Sequence, residues 1–340
     1  MASRSTRRQL LISAAGAAAL TAVGCGSSND DKNSGTTAGA AGAAGGQYPL
    51  KVTDAFGTVA IDSAPKRIVT YGYTDADPML ALGAVPVGLL QWIPQWKRGV
   101  GVWAEPALKG ATPELYAGSE IDFEGVAKSR PDLILAVTYS FRKSDYEKLS
   151  KIAPVVTTPA GYPDWGTPWQ VATKQLGAAL GRPEQAKQLV ADAEAEFTRA
   201  KSDHPHFAGK DVLIVAPDTN GKMAVFAPTD TRGRFATSLG FSQPAAIEKL
   251  TGRSFYADIS EERYDLLDVD ALLVMTDDAK AGAALERSPQ FQALKVVKEG
   301  RAIVTNDLEL NMAISSSTVL SIPYALDRVV PQLDAALTKV

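Results

Sequence analysis

Ser63-Ala64-Pro65-Lys66 has the Ser-x-x-Lys spacing of acyl-transfer enzymes, in which serine and lysine share one helical turn. Here Lys66 runs straight into the apolar stretch Arg67-Ile68-Val69-Thr70-Tyr71, which reads as a strand, and no Lys-Thr-Gly partner occurs, so the match is accidental. The only two histidines, His204 and His206, lie together around Pro205 in one linker-like stretch, which leaves no separate imidazole to activate a serine. That pair reads as solvated surface, and no residue is assigned to a metal. Neither Gly-x-x-x-x-Gly-Lys nor Gly-x-Gly-x-x-Gly occurs, which argues against nucleotide chemistry. A carboxylate-dependent exported hydrolase is the enzyme reading that survives, because Asp and Glu are plentiful. No catalytic residue is assigned, and the chain reads as a binder.

The residues that could do binding chemistry are rings and cations placed just after strand-like runs. In α/β sheets, ligands bind outside the carboxyl ends of the strands. In the first half these positions hold Tyr71 and Tyr73, Trp92, Trp96 and Arg98, Tyr139 and Arg142, then Tyr162, Trp165 and Trp169, with Trp103 close by. In the second half they offer Phe226, Arg232, Arg234, Tyr256 and Asn311. Rings supply contact area and arginines supply charge-assisted bonds, which suits a bulky ligand of mixed polarity. About half of the rings are expected to anchor loops on their own lobe.

The elements that must position them alternate strand and helix patterns from Tyr48 onward. Strands are expected at Arg67–Tyr71, Val85–Leu90, Asp132–Val137, Pro154–Thr158, Asp211–Ala216, Lys222–Phe226, Asp270–Met275 and Ala302–Thr305. A short helix over Asp75–Leu82 is stopped by Gly83. Ala186, Leu189, Val190, Ala193, Phe197 and Ala200 recur at helical spacing across Pro183–Lys201 and predict one long amphipathic helix, with Pro183 at its start. A final helix is expected from Ser315 to about Leu337. The body therefore reads as α/β lobe, long helix, α/β lobe: residues 48–181, 182–203 and 204–340.

A weak internal repeat supports that division. Asp122-Phe123-Glu124 precedes Asp132-Leu133-Ile134-Leu135 at the same offset at which Ser260-Glu261-Glu262 precedes Asp270-Ala271-Leu272-Leu273. Asp122 and Ser260 are suitable N-caps, and Glu124 and Glu262 fall in a first turn where the helix dipole favours negative charge.

Ala64-Pro65-Lys66-Arg67-Ile68-Val69, Leu80-Ala81-Leu82-Gly83-Ala84-Val85-Pro86-Val87-Gly88, Arg130-Pro131-Asp132-Leu133-Ile134-Leu135, Leu149-Ser150-Lys151-Ile152-Ala153-Pro154-Val155-Val156 and Leu320-Ser321-Ile322-Pro323-Tyr324-Ala325-Leu326-Asp327 resemble the iron-siderophore substrate-binding lipoproteins of ABC importers, the helical-backbone (class III) periplasmic-binding-protein family. The resemblance spans essentially the whole mature chain. It implies two three-layer α/β lobes joined by one long rigid helix, with ligand in the cleft between them. It also implies that Glu124, where the family carries Asn-Leu-Glu, and Glu262 dock against arginines of the membrane permease. Iron would arrive already chelated, so the protein itself needs no cofactor. A ferric hydroxamate siderophore of the desferrioxamine type is the first expectation, with haem or cobalamin next.

The N-terminus says where the protein works. Arg4, Arg7 and Arg8 precede an apolar run from Leu10 to Val23 that is shorter than the roughly 20 residues of a membrane span, the pattern of an export signal. Thr6-Arg7-Arg8-Gln9-Leu10-Leu11 resembles a twin-arginine signal, an alternative to Sec export, and Ala22-Val23-Gly24-Cys25 resembles a lipobox, with Ala22 where Leu is usual. Residues 1–25 are then a signal ending in lipidated Cys25, and 26–47 a Gly/Ala/Ser tether of about 25 Å root-mean-square span. Cys25 is the single cysteine, so no intramolecular disulfide forms and stability rests on the core. The formal net charge of −3 becomes −6 once Arg4, Arg7 and Arg8 are removed, which argues against a nucleic-acid partner. The expected protein is a monomer at the outer face of the cytoplasmic membrane.

Overall fold

A computed structural model describes residues 46–118, 120–162, 165–218, 222–276 and 278–339. The signal, Cys25 and nearly all of the tether lie outside the described residues.

An antiparallel hairpin, β1 (Leu50–Asp54) and β2 (Gly57–Ile61), precedes the first large sheet. That sheet contains β3 (Ile68–Thr70), β4 (Gly88–Gln91), β5 (Glu114–Ala117), β6 (Leu133–Ala136) and β7 (Val155–Thr157), all parallel in the order β5-β4-β3-β6-β7. The second contains β8 (Val212–Pro217), β9 (Met223–Phe226), β10 (Tyr256–Ile259), β11 (Ala271–Met275) and β12 (Ala302–Thr305), in the order β10-β9-β8-β11-β12. Strands β8, β11 and β12 are parallel, and β9 runs antiparallel to both β8 and β10. The two sheets thus repeat one strand order, and the fold is two α/β lobes.

Burial on both faces explains the continuous apolar strands, as in parallel sheets generally. Leu133 and Leu135 of β6 enter one core and Ile134 and Ala136 the core on the opposite face. In β11, Ala271, Leu273 and Met275 face one way and Leu272 and Val274 the other. The linking helix, Pro183–Asp203, shares its apolar stripe between lobes. Ala186 packs in the N-terminal core, Ala193 and Phe197 pack in the C-terminal core, and Leu189 touches both. A helix whose one face is common to two close-packed cores holds them as a spine.

Most expected elements are present within a residue or two, including the helix Ala76–Ala81 closed by Gly83, whose φ of +80° needs the missing side chain. Three differences matter. Strands β1, β2, β5 and β10 fall where no strand was expected, since each is a short, partly exposed edge segment without a long apolar run. The final helix is not continuous from Ser315. One helix runs Leu308–Ser316, Ser317 takes a left-handed conformation at φ +40°, and a closing helix runs Ser321–Leu337. The serine–threonine run makes the break, because Ser321 Oγ donates to Ala313 O at 2.9 Å and accepts from Thr318 N at 2.8 Å, replacing helix bonds. Last, Asp122 caps its helix by accepting from Gly125 N at 2.8 Å, whereas Ser260 occupies the cap position without a side-chain cap bond.

Candidate functional site

The loops after β3, β4, β6 and β7 meet the helix Thr231–Ser238 and the end of the helix Leu308–Ser316, at Ser315 and Ser316, around a cavity of about 330 Å³ that opens to solvent. This is at the small end of the range for organic ligands, and the open mouth leaves part of a bulky ligand outside.

The N-terminal lobe supplies the aromatic wall. Tyr73 stacks on Tyr139 with centroids 5.5 Å apart, meets Trp165 at 4.8 Å and meets the edge of Trp92 at 5.7 Å. Trp165 is 48% exposed and sits at φ +62°, a backbone state that costs a bulky residue on the order of 1 kcal/mol and recurs at ligand sites. Trp169 opens its helix at the same cavity. Beneath this wall lies Asp75, fully buried, whose carboxylate accepts from Val137 N at 2.6 Å, Thr138 N at 3.0 Å and Thr138 Oγ1 at 2.7 Å. Burial raises its pKa to about 6 against the opposing pull of those bonds. Val137 and Thr138 line the cavity, so Asp75 fixes that part of the wall from behind.

The C-terminal lobe supplies the charges. Asp230 caps the helix Thr231–Ser238 by accepting from Arg232 N at 2.9 Å, and it grips the Arg232 guanidinium through Nε at 2.7 Å and Nη2 at 2.9 Å. Arg232 also lies 3.5 Å over the Phe226 ring. Its charge is therefore fixed and largely neutralised. Arg234 donates to Gly166 O of the other lobe at 2.9 Å, and burial lowers its pKa from the ordinary arginine value. Ser315 lines the same cavity with a buried hydroxyl that has no partner among the described residues, a ready donor or acceptor for a ligand.

The structure thus gathers Tyr73, Trp92, Tyr139, Trp165, Trp169, Arg232 and Arg234 around one cavity. Several residues expected there are elsewhere. Tyr71 is a core residue at 1% exposure, its hydroxyl accepting from Asp122 N and its pKa pushed up to about 12 by burial. Trp96 is 6% exposed and donates through Nε1 to Glu309 Oε1 at 3.0 Å, and Trp103 donates to Asp77 Oδ2 at 2.6 Å. Both indoles face the seam between lobes. Arg98 donates to Ala111 O within its own loop. Arg142 points to solvent and pairs with Asp145 at 2.8 Å. Phe226 lies buried beneath Arg232. Tyr256 is 40% exposed on edge strand β10 against Phe255, and it is Phe255 that reaches the cavity. Asn311 is buried and donates to Thr276 O at 3.0 Å. Tyr162 is exposed outside the lining. Asp230, Thr138 and Ser315 were missed, although Asp230 carried a readable signal as an N-cap residue two positions before Arg232.

Two carboxylates bolt the lobes together. Asp77 accepts from Trp103 and from Thr318 Oγ1 at 2.5 Å, and burial raises its pKa to about 6. Glu309 accepts from Trp96 and, at 3.4 Å, from Val102 N. Glu124 and Glu262 are exposed, each in a short helix leading to the equivalent strands β6 and β11.

The profile of the Periplasmic binding protein family matches residues 68–308. The ferric enterobactin-binding periplasmic protein FepB of Escherichia coli O6:H1 is 25% identical over 269 residues, covering 74% of this chain and 82% of FepB. A periplasmic solute binding protein from Mycobacterium smegmatis superposes with a TM-score of 0.77 at 30% identity, covering 85% of this chain and 98% of that one. PiaA of Streptococcus pneumoniae TIGR4, in complex with ferrichrome, superposes with a TM-score of 0.73 at 28% identity, covering 86% and 99%. With its matching stretch running through both sheets and the spine between them, this chain belongs to the periplasmic binding protein family.

Proposed function

We propose that this protein captures a ferric siderophore outside the cytoplasmic membrane and delivers it to an ABC importer. The observation that carries the reading is the cavity itself, a fixed aromatic wall facing a polar wall with one partly desolvated arginine, in a chain whose relatives include ferric-siderophore binders. The charge balance favours a weakly charged complex. Asp230 pairs with Arg232 and partly offsets Arg234 as well, so among the described lining residues the net cationic charge is small, which suits a neutral or monoanionic hydroxamate better than a triply anionic ferric catecholate. The protein acts by binding and has no catalytic step of its own.

The division into lobes 48–181 and 204–340 with spine 182–203 is supported by the two equivalent sheets and the shared helix stripe. Glu124 and Glu262 serve as docking carboxylates, supported by their exposure and their matching places ahead of β6 and β11. Cys25 carries the lipid anchor that holds a monomer at the membrane.

The test is quenching of tryptophan fluorescence by ferrioxamine, ferrichrome, a ferric catecholate, haem and cobalamin. Saturable quenching by a ferric hydroxamate at submicromolar concentration, with the catecholate weaker, is the expected result. Tight binding of haem or cobalamin with no response to any ferric siderophore overturns the ligand assignment. Equal release of wild type and Cys25→Ala into the medium overturns the anchor.

A further inference from the structure

His204, His206 and Asp334 meet although the carboxylate lies 130 residues from the first histidine. His204 ends the linking helix, Pro205 starts a 3₁₀ turn over Pro205–Phe207, and this segment turns both rings toward the closing helix that carries Asp334. Nδ1 of His204 is 2.9 Å and Nε2 of His206 is 3.1 Å from the same oxygen, Asp334 Oδ1. One ligand atom from each residue falls within 4.8 Å of the other two.

The rings are held before any ion arrives. His204 stacks on Phe207 with centroids 4.9 Å apart and planes 14° apart, and His206 meets the same ring edge-on at 4.9 Å. Phe207 is buried, and Pro205 restricts the backbone between the two histidines. Little side-chain freedom remains to be lost on binding.

Hydrogen bonds alone would account for two rings sharing one carboxylate oxygen, but the donor set and spacing match a metal as well. Ligands about 2.0–2.1 Å from a tetrahedral ion stand roughly 3.3 Å apart, so the observed 2.9 and 3.1 Å need open by only a few tenths of an ångström, while the third edge, between the two ring nitrogens, lies within 4.8 Å and is set by small ring rotations. Two imidazoles and a carboxylate are the ligands of zinc-type borderline ions. The three side chains are 25%, 38% and 36% exposed, which leaves a fourth position to water. On binding, each coordinating nitrogen offers its lone pair, the single hydrogen of the neutral ring sits on the other nitrogen, and any second proton passes to water.

We propose that His204, His206 and Asp334 form a binding site for a zinc-type divalent cation, apart from the cleft, that clamps the end of the linking helix to the closing helix. None of the three lines the cavity. The sequence could not reveal it, because His-Pro-His lacks a third ligand until the closing helix packs beside it.

The untagged protein, stripped with a chelator, is titrated with zinc by calorimetry and with cobalt(II) by visible absorption. One saturable zinc site with Kd on the order of 10 µM or tighter is expected, weakened at least tenfold in His206→Gln and in Asp334→Asn. Free zinc a hundredfold above Kd should raise Tm by about 5 °C, and not in the variants. Cobalt should give the intense visible bands of four-coordination. Zinc affinity unchanged in both variants, or zinc that quenches the cleft tryptophans and competes with ferric ligands, overturns the proposal. Should a variant melt lower without zinc, the unsubstituted protein still decides: a cobalt spectrum that stays that of the hydrated ion refutes the site.

Discussion

The two lobes carry the same strand order, yet they join their first pair of strands differently. In the N-terminal lobe β3 reaches its parallel neighbour β4 through the helix Ala76–Ala81, whereas in the C-terminal lobe β8 turns back into the antiparallel β9. The N-terminal crossover places Tyr73 and Thr74 in the cleft and Asp75 and Asp77 beneath it. Having no such crossover, the C-terminal lobe builds its wall from the helix Thr231–Ser238 and the end of the helix Leu308–Ser316 at Ser315 and Ser316. One lobe therefore offers mainly rings braced by buried carboxylates, and the other mainly hydroxyls and an arginine pair. The bulk of a ligand should be felt on the first side and its charge on the second.

Breaking the brace should have the largest effect. Asp77→Ala leaves Trp103 Nε1, on its own lobe, and Thr318 Oγ1, across the seam, without their acceptor, a cost of about 3 kcal/mol that lowers Tm by roughly 5–10 °C. A melt within about 1 °C of wild type would remove Asp77 from its bolting role.

The same brace gives a pH dependence with a definite sign. Burial raises Asp75 and Asp77 from 3.8 to about 6, so the folded chain keeps protons that the unfolded chain has already lost in that window. Their contribution to stability is full below pH 4, declines as pH rises through about 6, and is absent above it. Asp77→Asn imitates the protonated form, so the gain in Tm from pH 7 to pH 5 should be smaller in this variant than in wild type. An equal or larger gain contradicts the raised value for Asp77.

Tryptophans at the two ends of the aromatic chain sharpen the contrast between cleft and seam. Trp92 meets Trp96 at 5.6 Å and Trp96 meets Trp103 at 5.4 Å, so one file of rings runs from the cavity to the bolts. Trp165→Ala should weaken ligand binding roughly 2- to 30-fold with Tm nearly unchanged. Trp96→Ala should do the reverse, lowering Tm while affinity falls less. Matching effects from both substitutions would erase the distinction. On the other wall, Arg234→Gln should weaken an anionic ferric complex by roughly tenfold and a neutral one by less. Isothermal titration with one complex of each charge checks it, and equal losses would take Arg234 out of charge recognition.

The smallest effect on the isolated protein is expected at the exposed pair. Glu124→Ala with Glu262→Ala should change Tm and ligand affinity hardly at all, since exposed carboxylates contribute little to folding. Iron uptake in cells should nevertheless fall. Normal uptake by the double variant would remove the docking role.

Periodicity carried the elements because burial is local in sequence. Ala186, Val190, Ala193 and Phe197 had to share a stripe, and the apolar runs of β6, β8 and β11 had to be buried on both faces. The strand-end rule likewise located Tyr73, Trp92, Tyr139 and Trp165 near a cleft. That rule could not separate Trp92 from Trp96, four residues on, because their roles differ in what the other lobe presents: Glu309 accepts from Trp96, and among the described residues no carboxylate holds Trp92.

Residue type and spacing by themselves determined the α/β class, the long spine, the two sheet-bearing lobes and a clustering of rings at the strand ends, since each follows from patterns within some twenty residues. Tertiary structure alone decided which rings line the cavity, that Asp75 and Asp77 are buried with pKa values raised to about 6, that Asp230 neutralises Arg232, and that Asp334 joins His204 and His206. The physical reason is common to all four. Hydrogen bonds, desolvation and convergence on a ligand depend on distances between side chains, and for Asp77 with Thr318 or His204 with Asp334 those distances are set by the packing of whole elements far apart in sequence.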